Sequence, residues 1–266
     1  MRIGTRTRPG LEGIDACAAE AIGAFGVLIE PDAATTAIAA AEAATTTRTS
    51  RLIVRMVLGI DHPVTLAEDL AVLDNISNGR VVALLDTSTL EVDAAREDLT
   101  VLVAGLTPRP VQHAGERWRV PARLEGHDAP DRIEVTPKPV QVEIPVWLIG
   151  AAATQLSRDT GYPVVADRPE EVDASRSVQP GLVWLSGDRD VDRELVTAWR
   201  DAGATHLLVG ADDMDATLLE IARYLIPEVA MPDFPRIIAE AMTPRRWPGP
   251  ARYVAASPQD QGRMSN

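Results

Sequence analysis

The stretch His62-Pro-Val-Thr-Leu-Ala-Glu-Asp-Leu-Ala-Val-Leu-Asp-Asn-Ile-Ser-Asn-Gly-Arg80 predicts one helix followed by the entry to a strand. Pro63 stands where the first turn of a helix tolerates proline, and Gly79 stands where a helix commonly ends. Between them, apolar side chains recur at helical spacing at Leu66, Leu70, Leu73 and Ile76. The apolar run at 81–86 is typical of a buried strand, so the helix leads directly into a strand.

The same alternation of helix and strand continues along most of the chain. Short apolar runs separated by segments of helical period predict βα units around a parallel sheet. The predicted strands span residues 2–7, 25–30, 52–58, 81–86, 146–149, 163–166, 182–185 and 206–209. Eight such units predict a (β/α)8 TIM barrel, in which functional sites gather at the carboxyl ends of the strands. The fifth and sixth units are short, so a reduced barrel with missing helices is the alternative.

The composition favours a soluble protein that acts on small molecules or on other proteins. The chain has 266 residues and a formal net charge of −13, which repels nucleic-acid backbones and anionic lipid. One cysteine and four scattered histidines without metal-ligand spacing predict neither a disulfide nor a metal site. Because the amino terminus lacks an apolar signal core and no apolar run is long enough to span a bilayer, we expect a cytoplasmic protein without a membrane partner.

Two segments interrupt the alternation. Residues 107–145 are proline-rich and charged and exceed the length of a simple connection, so we predict a lid-like insertion over the carboxyl ends of the strands. Residues 248–266 are rich in Pro, Ser, Gln and Gly, which predicts a mobile tail. The expected organisation is one barrel domain over residues 1–247, followed by that tail.

The sequence also carries three motifs in a fixed order. They are Leu73-Asp-Asn-Ile-Ser-Asn-Gly-Arg80, Pro137-Lys-Pro-Val-Gln-Val-Glu-Ile-Pro-Val-Trp-Leu-Ile-Gly150 and Ala202-Gly-Ala-Thr-His-Leu-Leu-Val-Gly210. Their order and spacing resemble the luciferase-like monooxygenase family, which includes bacterial luciferase and F420-dependent oxidoreductases. The resemblance implies a TIM barrel that uses FMN or the deazaflavin F420. It further implies an oxidoreductase, in particular a monooxygenase, that acts on a small organic substrate.

In the family, a phosphate-binding turn follows the fifth strand and enters a helix. The matching residues here are Gly150, Ala151, Ala152, Ala153 and Thr154. The unpaired N–H groups of a helix start attract anions, and Thr154 adds a hydroxyl, so we expect a cofactor phosphate at this turn. The alternative is a strand-to-helix turn in which Thr154 is only a helix cap.

The chain departs from the family at the second, third and fourth strands. Glu30 runs almost directly into a predicted helix at 33–46, and only Gly59-Ile-Asp61 separates the third strand from His62. The fourth strand ends at Asp86-Thr-Ser-Thr89 without the family's glycine-rich segment. Since these losses fall on the face where active sites form, the second hypothesis is a non-catalytic flavin-binding or structural subunit that pairs with an active homologue.

Three side chains are the candidates for catalysis. His62 is a candidate proton donor at the barrel mouth, with helix capping as its alternative. Glu30 and Asp86 end neighbouring strands and are candidates for an acid and base pair, with capping again as the alternative.

Other residues have more ordinary interpretations. His113, Arg117 and Trp118 fit either a lid over a ligand or a solvated hairpin, and His206 fits a hydrogen-bonded core histidine. The resemblance implies a homodimer, or a heterodimer with a homologue. The predicted contacts are the helices at 33–46 and 64–77, where the small side chains of the first helix allow close packing.

Overall fold

The computed structural model describes residues 1–30, 35–122 and 130–226, which lie in one compact unit. The strands are β1 Arg2–Arg6, β2 Gly26–Ile29, β3 Arg51–Val57, β4 Val81–Asp86, β5 His113–Ala114, β6 Arg119–Val120, β7 Val146–Ile149, β8 Pro180–Leu185 and β9 His206–Ala211. The helices are α1 Glu12–Ala21, α2 Thr36–Thr46, α3 Pro63–Ser77, α4 Val92–Leu106, α5 Ala153–Thr160, α6 Arg189–Asp201 and α7 Met214–Glu220, with a π-helical turn at Ile221–Leu225. The predicted domain boundary after residue 247 and the predicted tail lie outside the described residues.

Seven strands form one parallel sheet in the order β7-β4-β3-β2-β1-β9-β8. The predicted strand at 163–166 is reduced to isolated bridges, which pair Leu148 with Val164 and Ala166 with Gly181. We call residues 163–166 the closing segment, because they bond to β7 on one side and to β8 on the other. The two ends of the sheet are thereby connected, and the predicted barrel is confirmed in its reduced form.

The helix expected between the closing segment and β8 is missing. Residues 167–179 contain only one 3-10 turn, Pro169–Glu171. The shortness of the sixth unit in the sequence therefore corresponds to a gap in the outer layer of helices.

Alternate side chains of each strand supply two separate apolar cores, as expected for a sheet with two buried faces. In β3, Leu52, Val54 and Met56 pack among the helices. Ile53 belongs instead to the barrel interior. The interior cluster comprises Leu28, Ile53, Val82, Leu84, Trp147, Val165 and Leu208. The next inward position of β3 after Ile53 is Arg55, near the carboxyl end of the strand.

The described part of residues 107–145 packs on the helical layer, and the predicted lid over the carboxyl ends of the strands stays a prediction. The hairpin of β5 and β6 packs against α3 and α4 through Val101, Val111, Val120 and Val135. Gln141 lies at the opposite end of the barrel, where its side chain donates to Asp74 and to the carbonyl of Val81. The segment begins after α4 has returned to the amino-terminal end of the sheet, and this starting point places its contacts on the helical layer.

None of the described helices combines the length and apolar composition that crossing a bilayer requires.

Candidate functional site

Arg55 is the central residue of the barrel mouth. Its Nη2 donates to Asp86 Oδ2 at 2.6 Å and its Nε donates to the same oxygen at 3.1 Å. Its Nη1 donates to Glu30 Oε1, and Arg6 Nη2 lies 2.5 Å from Glu30 Oε2. We call Arg6, Glu30, Arg55 and Asp86 the mouth cluster. The structure thus brings the predicted pair Glu30 and Asp86 to one place but puts a guanidinium between them.

The mouth cluster balances two arginines against two carboxylates. Burial alone would raise the pKa of the Asp86 carboxyl, but hydrogen bonds from Ser88 and Arg55 outweigh burial and hold that pKa below its ordinary value. Burial opposes the charge of Arg55 as well, yet its bonds to Asp86 and Glu30 raise the pKa of the guanidinium. Asp86 is therefore ionised at neutral pH and carries no proton to donate. This arrangement favours ion pairing over the predicted catalytic roles of Glu30 and Asp86.

His62 begins α3. Its Nδ1 accepts a hydrogen bond from the N–H of Val64 at 3.1 Å, so the side chain caps the helix. Its ring meets the ring of Trp118 edge to face, with 4.4 Å between centroids. The capping alternative accounts for His62, and a catalytic role for this residue stays a prediction.

The predicted phosphate turn is packed against the loop that follows β4. Gly150 has φ of +101°, and a Cβ at this position would lie 2.6 Å from Ser88 Oγ. The N–H of Ala152 donates to Thr87 Oγ1 at 3.2 Å, and the N–H of Ala153 donates to the carbonyl of Gly150. The glycine therefore leaves room for Ser88, and two N–H groups of this turn already have partners within the chain. A phosphate at Gly150–Thr154 stays a prediction.

The hairpin is held by two acidic residues of α4 that the sequence interpretation missed. Glu97 accepts from the N–H groups of Arg117 and Trp118, and His113 Nε2 lies 3.0 Å from Glu97 Oε1. Burial opposes ionisation of Glu97, but these hydrogen bonds lower its pKa to about 2. Asp98, which is fully buried, accepts from Trp118 Nε1 at 2.5 Å. The sequence signal for Asp98 was an acidic residue on the buried, apolar face of α4.

The cavity beside the mouth cluster is small. A cavity of about 330 Å³ is lined by residues that include Arg6, Arg8, Trp184 and Met214. Arg6 stacks on Trp184, with its guanidinium carbon 5.2 Å from the ring centroid. Among the described residues, no group of three or more His, Cys, Asp or Glu side chains is arranged to hold a metal ion.

Solved structures with a similar backbone are oxidoreductases. The EDTA monooxygenase from Chelativorans sp. BNC1 has a TM-score of 0.65 and 13% identity, over 87% of this chain and 94% of that one. The coenzyme F420-dependent tetrahydromethanopterin reductase from Methanopyrus kandleri has a TM-score of 0.62 and 14% identity, over 85% and 99%. This chain shares the fold of these oxidoreductases. At these identities the likeness concerns the fold.

A third solved structure with this fold contains bound FMN. It is the oxygenating constituent of 3,6-diketocamphane monooxygenase from Pseudomonas putida in complex with FMN, with a TM-score of 0.50 and 16% identity, over 89% of this chain and 76% of that one. No protein-family model matches the sequence of the barrel described here, and no curated protein does either.

The described residues do not fit a flavin or deazaflavin at the mouth. Ligand pockets commonly measure about 300 to 1,000 Å³, so a cavity of about 330 Å³ is at the small end for a three-ring cofactor with a phosphate chain. Charged side chains of the mouth cluster occupy the barrel axis where an uncharged ring system would have to lie. Ser88 fills the space beside Gly150. We therefore derive no chemical step through a flavin in this chain.

Proposed function

We propose that this protein is a non-catalytic luciferase-like barrel that acts as the partner subunit of a second barrel of the same fold. The mouth cluster is the observation that carries the proposal. Breaking it to admit a cofactor ring would leave Glu30 and Asp86, which are 11% and 6% exposed, without their cation. An uncompensated buried charge is strongly unfavourable. When the mouth is closed in this way, the outer surface of the barrel is what remains for binding other molecules.

An apolar surface on α1, α2 and α3 supports association. Ile14 is 65% exposed, Ile38 is 73% exposed, and Val72 and Ile76 are 40% and 46% exposed. These helices are neighbours, since α2 contacts both α1 and α3. Large apolar side chains left in water on neighbouring helices favour association. The occupant we propose is a second luciferase-like barrel, because the same surface on two copies would form a symmetric, self-complementary interface.

The reason for association differs from the one that the sequence predicts. Most alanines of α2 pack inward, with Ala39, Ala40, Ala43 and Ala44 buried in the outer core. The small side chains therefore bring α2 close to its own neighbours. The large exposed apolar side chain of this helix is Ile38.

Light scattering after size exclusion tests the interface. We expect a dimer at micromolar concentration, and we expect Ile38→Glu to give a monomer because a carboxylate would be desolvated at the contact. Ile60→Glu is the matched control: Ile60 is also a large exposed side chain, at 56%, but it lies in the connection between β3 and α3. If the wild type is a monomer, and also fails to co-elute with a flavin-binding luciferase-like enzyme from the same genome, the partner role is wrong.

Titration with FMN and with F420 tests the absence of cofactor. We expect a colourless purified protein and no saturable change in absorbance or fluorescence with either compound. Saturable binding at micromolar concentration would contradict the non-catalytic role. It would support the second candidate function, an FMN- or F420-dependent oxidoreductase, in particular a monooxygenase of a small organic substrate.

The fold of the solved oxidoreductases is the observation that favours this second function. If the protein binds a flavin with its phosphate at Gly150–Thr154, then Thr154→Glu should weaken binding by tenfold or more, about 1.4 kcal/mol, because of charge repulsion. Equal affinity of this variant would place the phosphate elsewhere.

A further inference from the structure

A groove of about 490 Å³ lies on the outer wall of the barrel, where the helix after the closing segment is missing. Thr154 and Arg158 line it from α5, and Arg176 and Gln179 line it from the connection that leads to β8. Residues of the closing segment form its apolar floor. Of the predicted phosphate turn, only Thr154 lines this groove, so it is separate from the mouth.

Gln179 places an unused donor in the groove. The residue is 4% exposed, and its backbone is engaged: its N–H donates to Thr205 Oγ1 and its carbonyl accepts from Thr205 and His206. Its side-chain Nε2 is buried and has no hydrogen-bond partner in the structure. A buried amide donor without a hydrogen bond is unfavourable, so an acceptor at this point is favourable.

The charged side chains around the groove differ in whether they already have hydrogen-bond partners. Asp173 accepts from Ser175 and from Arg176 Nε, so both of its oxygens are used. Arg176 Nη1 donates to the carbonyls of Gly161 and Tyr162, which fixes this arginine against the wall. Arg158 makes no hydrogen bond or ion pair with the described residues 1–30, 35–122 and 130–226. Two carboxylates also line the groove, but Asp173 is paired with Arg176 and Glu171 with Arg168, so Arg158 is the lining charge that a ligand can pair with.

We propose that this groove binds a small organic anion. One carboxylate or phosphate oxygen accepts from Gln179 Nε2 at the floor, and the remaining negative charge faces Arg158 at the rim. The proposal does not depend on the partner-subunit function, because the groove is on a different surface from α1, α2 and α3.

Side-chain amide signals in an ¹⁵N NMR titration provide the test, with sodium succinate and inorganic phosphate as probes and sodium chloride at equal ionic strength as reference. We expect the Gln179 amide pair to shift and saturate with at least one probe. Gln179→Met keeps the volume but removes the donor, and Arg158→Gln removes only a surface charge. Each should weaken binding fivefold or more.

The matched controls are Gln155→Met, on the same helix as Arg158 but with its amide bonded to Asp159, and Arg200→Gln on α6. Both should bind as the wild type does. Binding of succinate alone or of phosphate alone would identify the class of anion. If the Gln179 amide does not move up to about 50 mM of either probe, or if Gln179→Met binds equally well, the site does not exist and water satisfies the amide. Arg158→Gln keeps the test decisive if Gln179→Met does not fold.

Discussion

The two ends of the barrel interior are closed by different chemistry. At the amino-terminal ends of the strands, the rings of Phe25 and Trp147 pack against His206, with centroid distances of 5.0 and 5.5 Å. At the carboxyl ends, the mouth cluster closes the axis with ion pairs. One barrel therefore has an aromatic plug at one end and an ionic plug at the other.

The two ends also differ in the chain segments beside them. At the amino-terminal end, the segment around Gln141 bonds to Asp74 and to the carbonyl of Val81. At the carboxyl end, only five residues separate β3 from α3, and five separate β4 from α4. A charged side chain that lies between water and the core is stable only when it is paired with an opposite charge. The end that carries active sites in other TIM barrels has thus become a paired and closed surface.

The largest effect is expected at the aromatic plug. Trp147 is 4% exposed, and Trp147→Ala should lower the free energy of unfolding by about 4 kcal/mol because it creates a cavity. The matched control is Trp184→Ala at the mouth, where the ring is 51% exposed and the loss should be about 1 kcal/mol. Urea unfolding measures both values. Equal losses would contradict the distinction between a buried plug and an exposed mouth.

Acidification should weaken the aromatic plug before the ionic one. Burial, reinforced by the charges of Arg2 and the amino terminus, lowers the pKa of His206 to about 4 from an ordinary 6.5. Between these values the unfolded chain binds more protons, so the free energy of unfolding should fall by about 3 kcal/mol as the pH drops from 6.5 to 4. His206→Gln should remove most of this slope. A slope that is unchanged in the variant would assign the effect to other groups.

The carboxylates respond in a lower pH range. The pKa values of Asp86 and Glu97 lie below their ordinary values, so their contribution is present above about pH 4 and is lost as the pH falls through the lower, folded-state pKa. The His206 slope is therefore separable from theirs.

The third expected effect concerns the ionic plug. Arg55→Ala should lower the free energy of unfolding by about 2 kcal/mol, since the guanidinium is one-third exposed and solvent screens part of the loss. Combining Arg55→Leu with Asp86→Asn should recover most of it, because Glu30 keeps Arg6 as its partner and no carboxylate is left without a cation. Arg96→Ala breaks ion pairs of an exposed arginine on α4 and should leave urea unfolding unchanged. A loss in Arg96→Ala as large as in Arg55→Ala would show that burial does not govern these pairs.

The sequence predicted the fold well because helix ends and strand periods are local signals. Pro63 and Gly79 bound α3 as expected, and seven of the eight predicted strands pair in the sheet. The remaining predicted strand, at 163–166, forms only isolated bridges because no helix follows it to pack against. The interpretation of His206 as a hydrogen-bonded core histidine is confirmed by its packing and by the 2.8 Å contact of Nδ1 with Thr205 Oγ1.

The candidate site was only half predictable. Glu30 and Asp86 could be placed together because parallel strands end at one edge of a sheet. Arg55 was missed because its significance depends on the face to which it points, which follows from the alternation with Ile53. The position of residues 107–145 could not be read from the sequence either, since it depends on contacts between Trp118 and Asp98 across separate elements.

The pairing of β1 with β9 has a consequence for how the chain folds during its synthesis. Arg2 pairs with His206, so β1 meets its neighbour on that side only after about two hundred further residues have been synthesised. The closing segment, in contrast, bonds to strands that lie within a few tens of residues. Pairing across such a long separation is slow, because the entropy cost of closing the loop comes before the contacts that offset it. The nascent chain therefore carries an unpaired β1 edge until β9 has been synthesised.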